Sequence, residues 1–138
     1  MKSLRTLLKV ARIDLETLRR ALAEQVAKHA SVEQRLLGHE QTVKNEQMLA
    51  RRDYESARAY GGYAVAALAI RRGLEAERIS VSQDIERLRT VVADAHAEVR
   101  KFERLLELEA ERARMVQKHR ETAELDEFAT LRTARLKP

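Results

Sequence analysis

At 138 residues, 36% of them charged and only 4% aromatic, the chain has the length of one domain but too few large apolar side chains for an ordinary globular core. It has no cysteine, which excludes a disulfide framework and thiolate zinc sites and fits a reducing compartment. The net charge of +5 is uneven: residues 1–20 carry six cations against Asp14 and Glu16, while residues 75–112 carry ten acids against seven bases. No continuous basic stripe results, and no helix-turn-helix, zinc-finger or stacking pattern supports nucleic acid as a partner.

The chain opens with Lys2, Arg5 and Lys9 interleaved among leucines, so residues 1–11 lack the uninterrupted apolar run of a signal peptide. A periodic seam starts here: Leu4, Leu8, Ala11, Leu15, Leu18, Leu22, Gln25, His29, Val32, Leu36, His39 and Val43. Its steps alternate four and three, a 3.5-residue mean that marks a coiled-coil helix. This predicts a first arm over about 3–59. Beyond Val43 the seam stays apolar only with one extra step of four, through Gln47, Ala50, Tyr54 and Ala57, which reads as a stutter.

Tyr60, Gly61, Gly62 and Tyr63 follow. Two adjacent glycines cost a helix roughly 2 kcal/mol relative to alanines and permit the backbone of a reversal, so the turn is expected at about 60–63. The single glycines Gly38 and Gly73 read as helix positions where two backbones approach, with Gly73 opposite Ala50. Residues 59–70 contain no charge, yet they are too few to span a membrane, which takes about 20 residues.

A second seam runs Leu74, Arg78, Val81, Ile85, Leu88, Val92, Ala95, Val99, Phe102, Leu106, Glu109, Ala113 and Val116, defining a second arm over about 64–131. The fold class is therefore all-α: a long antiparallel two-helix coiled-coil hairpin, one domain over 1–138, with arms of about 55 residues or ~80 Å. A turn centred on Gly61 and Gly62 pairs Leu15 with Leu108, Leu22 with Lys101 or Phe102, and Leu8 with Met115 and Val116. It leaves an overhanging C-terminal end from roughly Arg120 onward. Because each seam satisfies the other, a monomer is expected.

Enzyme motifs are missing: there is no phosphate-binding GxxxxGK[ST], no GxGxxG, no HExxH and no GxSxG. No catalytic, cofactor-binding or metal-ligating residue is expected. His29, His39, His96 and His119 are scattered, and a seam histidine reads as a register-fixing polar residue. Apolar side chains off the seam stand out instead. Leu7, Val10 and Ile13 point away from the partner arm, Leu105, Leu108 and Met115 are displaced from the second seam, and the region from Tyr60 to Ile70 has no charge. Sticky ends on a helical hairpin point to a connector between proteins.

The opening residues Met1 to Leu8, the midpoint turn and the continuous second arm resemble the FliJ family of bacterial flagellar protein-export components. The most specific stretch is Glu124, Leu125, Asp126, Glu127, Phe128 and Ala129, followed by Arg132, Arg135, Lys137 and Pro138, which is similar to the tail of that family. The resemblance implies a non-enzymatic, cytoplasmic coiled coil, located peripherally at the inner-membrane export apparatus through the export gate. It implies three partners: the export ATPase ring, the cytoplasmic domain of the export gate, and export chaperones. It places the ATPase contact at the terminal end (Leu7, Val10, Ile13, Leu125 and Phe128) and a gate contact at Tyr63, Ile70 and Leu74, the positions that match apolar or aromatic ones in the family. Alternatives left open are the equivalent stalk protein of a virulence type III secretion system, a coiled-coil spacer, and a binder of nucleic acid or lipid surfaces through the basic N-terminal arm.

Overall fold

A computed structural model describes residues 2–136, and the sequence explains why they are helical almost throughout. Proline occurs only at the last position, and Ala, Leu, Glu and Arg dominate, so little interrupts the backbone ladder. Helix α1 covers Lys2–Arg52 and helix α2 covers Tyr54–Leu136, with no strand among the described residues. The fold is the expected all-α two-helix hairpin.

The reversal is at Asp53, not at Gly61 and Gly62. Both glycines lie inside α2, and no described glycine has a positive φ. Asp53 closes one helix and opens the next. Its N–H donates to the Leu49 carbonyl at 3.1 Å, and its own carbonyl accepts the Ala57 N–H at 3.0 Å. Its carboxylate caps α2, with Oδ1 accepting the Glu55 N–H at 3.2 Å and Oδ2 accepting the Ser56 hydroxyl at 3.1 Å. Arg51 and Arg52 end α1 and Glu55 opens α2, each with the sign that the local helix dipole favours. A glycine pair permits a turn but does not compel one. Here the seam continues across it, with Tyr60 and Tyr63 half-buried before Ala67 and Leu74, and that burial outweighs the propensity cost.

Two compact units are present. One comprises Asp14–Asp94, and the other Met1–Ile13 with Ala95–Pro138. In the first, Leu15, Val32, Ala67, Leu74, Val81 and Ile85 form the core, with Val32 only 1% exposed. Leu18, Leu22, Leu36, Val43, Leu88 and Val92 flank it half-buried, so the seam read from the periodicity is the buried one. The antiparallel register is visible in the ring nitrogen Nε2 of His39, 2.9 Å from the Ala67 carbonyl, and in the Arg35–Glu77 ion pair at 3.2 Å. Asp53 lies midway between His39 and Ala67 in the chain.

Two further expectations are corrected in this unit. The stutter is absent: after Val43 the half-buried positions are Glu46 and Ala50 at the ordinary spacing, while Gln47, Tyr54 and Ala57 are exposed. No extra step is needed because α1 ends at Arg52. Nor do Gly38 and Gly73 mark close backbone approach, since a Cβ built on either would meet nothing within 4 Å.

In the terminal unit Leu8, Ala11 and Val99 are buried, with Leu4, Ala95, Phe102, Leu106 and Leu108 half-buried around them. Arg12 and Glu103 pair across the helices at 3.4 Å. Every residue from 111 to 136 is exposed, including Ala113 and Val116 of the predicted seam. Met115 and Val116, expected against Leu8, are 53% and 52% exposed. The reason is the turn: moving the reversal from the glycines to Asp53 shortens the first arm, so the uncovered stretch begins near Glu111 instead of Arg120. The pairings derived from a glycine-centred turn fall with it.

Candidate partner-binding surfaces

Helical geometry positions the apolar surface of the terminal unit. Leu4, Leu8 and Ala11 occupy the inward side of α1, so Leu7, Val10 and Ile13, three residues apart, are left on other sides of the same turns. They are 48%, 50% and 56% exposed. Leu125 and Phe128 lie on the stretch of α2 where every side chain is exposed, at 69% and 65%. The two groups belong to one unit but to different stretches of it: the first flanks a packed segment, and the second sits on helix with no packing at all. Leu131 and Leu136 extend the second group and were not singled out from the sequence. Their signal was readable, since no seam position of α1 remains to cover them.

Of the displaced second-arm residues, Leu108 is half-buried while Leu105 and Met115 are exposed. Leu105 and Leu108 line an open groove with Leu4 and Arg112, of about 380 Å³. The seam thus absorbs one of the three side chains in part, and the others add to the uncovered surface.

The expected gate residues fall in the other unit and divide by burial. Tyr63 is half-buried, its ring 6.1 Å from that of Tyr60, and Ile70 is exposed. Leu74 is 8% exposed and belongs to the core, so it can support a surface at Tyr63 and Ile70 but offers little of one itself. Beside them an open groove of about 320 Å³ is lined from both helices, by Val43, Tyr60, Ala64 and Leu68 and by the charged Lys44 and Arg71.

Among the described residues no group of His, Cys, Asp or Glu side chains is placed to hold a metal. His39 is spent on the Ala67 carbonyl, and His29 lies 3.7 Å from Glu33 on its own helix. No helix of the described residues is long and apolar enough to cross a membrane. Lys137 and Pro138, which close the tail motif, lie outside the described residues.

The family model described as the flagellar FliJ protein matches residues 1–137, essentially the full length. No curated protein and no solved structure matches the chain.

Proposed function

The chain belongs to the flagellar FliJ protein family, whose members are associated with flagellar export, and from that premise we propose that it is a non-enzymatic component that binds the export ATPase ring through its terminal unit. The observation that carries this is the uncovered apolar surface there: Val10 on α1, and Leu125 and Phe128 on the unpacked stretch of α2. Apolar side chains left in water at two places of one unit, on the solvent side of α1 and along the unpacked stretch of α2, support a protein-binding role. The other unit supplies the contact with the export gate through Tyr63 and Ile70, and export chaperones are further partners. In this reading the chain works in the cytoplasm and meets the inner membrane through the gate.

Replacing Val10 and Ile13 with Ser tests the assignment. Both are exposed, so helicity and melting stay close to wild type. Capture of the export ATPase and stimulation of its activity should fall. A plain spacer would show no such loss. If the double variant binds and stimulates normally while Tyr63→Ala or Ile70→Ser abolishes both effects, the ATPase contact belongs to the other unit.

A further inference from the structure

Along the first turns of α1, Lys2, Arg5 and Lys9 recur at steps of three and four and are all exposed, so they line one face. None of them pairs with a described acid, whereas Arg12, next in the row, is held by Glu103 at 3.4 Å. No acid precedes Asp14. The charge is also segregated by unit. The terminal unit holds fourteen Lys and Arg against nine Asp and Glu, the whole of the +5, while the other unit holds thirteen of each. Beside the cations, on the solvent side of the same turns, are Val10 and Ile13, at 50% and 56% exposure.

We propose that this face of α1 docks on an anionic phospholipid surface, with Lys2, Arg5 and Lys9 at the headgroups and Val10 and Ile13 at the acyl boundary. A row of cations beside apolar side chains on one helix is what an interfacial helix needs. Each cation near an anionic leaflet strengthens binding roughly fivefold. No described residue fixes the three cationic heads in place, and that lack of preorganisation suits a fluid headgroup layer better than one rigid acidic protein. Single-stranded nucleic acid fits less well, because the first Phe, Trp or Tyr is Tyr54 and this face has no aromatic ring on which a base could stack. Since no described helix can span a bilayer, the contact is confined to the interface. It is independent of the ATPase reading in its cations and shares Val10 and Ile13 with it, so bilayer and ATPase compete for the same turns.

The test is co-sedimentation of the full chain with vesicles of phosphatidylcholine alone and of phosphatidylcholine mixed with phosphatidylglycerol. Binding is expected only to the anionic vesicles, weakening as salt screens the headgroups. The variant Lys2→Gln/Arg5→Gln/Lys9→Gln, all exposed positions, keeps its circular dichroism and binds on the order of a hundredfold more weakly. The control Arg132→Gln/Arg135→Gln, on the far stretch of α2, binds like wild type. Equal binding by wild type and the triple variant, or no binding to anionic vesicles at low salt, overturns the proposal. So does tighter, equally cation-dependent binding to duplex DNA, which assigns the face to nucleic acid. ATPase capture by the Val10→Ser/Ile13→Ser variant is read separately, so either reading can fail while the other stands.

Discussion

At single positions, the balance between burial and backbone cost separates residues that look alike in the sequence. Gly61 and Gly62 are helical, exposed, and have room for a Cβ, since nothing lies within 4 Å of either. Gly61→Ala and Gly62→Ala should therefore each stabilise the chain by about 0.5–1 kcal/mol in denaturant melts. A turn at these residues would give the opposite sign, so the experiment also checks where the chain reverses. Gln25 makes the complementary point. It holds a seam position, half-buried, and its side-chain carbonyl oxygen is buried without a hydrogen-bond partner. Gln25→Leu should raise stability by about 1–2 kcal/mol, because it removes an unmet desolvation cost and adds apolar burial. Ile85, 7% exposed, should lose about 2–4 kcal/mol on truncation to Ala, against a change within about 0.5 kcal/mol at Leu37, which is 66% exposed. Similar losses at the two sites would mean that the seam is misassigned.

For the helices as elements, the informative features are their ends. The reversal depends on Asp53, whose carboxylate satisfies the Glu55 N–H and the Ser56 hydroxyl. Asp53→Ala should cost about 1 kcal/mol, and Asp53→Asn, which can still cap, much less. The cross-helix ion pairs Arg12–Glu103 and Arg35–Glu77 are solvent-exposed, so they orient the helices more than they stabilise them, at no more than about 1 kcal/mol each. The far end of α2 behaves differently. Residues 113–136 are all exposed, so removing them should lower total helical signal while leaving the melting midpoint nearly unchanged. A large fall in the midpoint on truncation would show that the tail folds onto the rest of the chain.

At the scale of the whole molecule, the residue pattern alone determined that the chain is two helices with one buried seam each, and which residues form it over Leu4 to Val43 and Leu74 to Glu109. From Leu4 to Val43 and from Leu74 to Glu109, every predicted seam position is buried or half-buried, because a 3.5-residue period leaves only one side of a helix able to face another. The outward placement of Leu7, Val10 and Ile13 was legible for the same reason, and the tail motif at Leu125 and Phe128 pointed to the family to which the chain belongs. Tertiary structure alone decided where the chain reverses, and with it how much of α2 is left uncovered. Periodicity repeats every heptad, so it is nearly indifferent to sliding one helix along the other. The choice depends on the sum of contacts along the seam together with one cap, and at Asp53 that sum outweighs the local preference of two glycines. The added uncovered stretch from 111 to 119, with Met115 and Val116 on it, follows from that reversal, which is why it could not be read from local sequence.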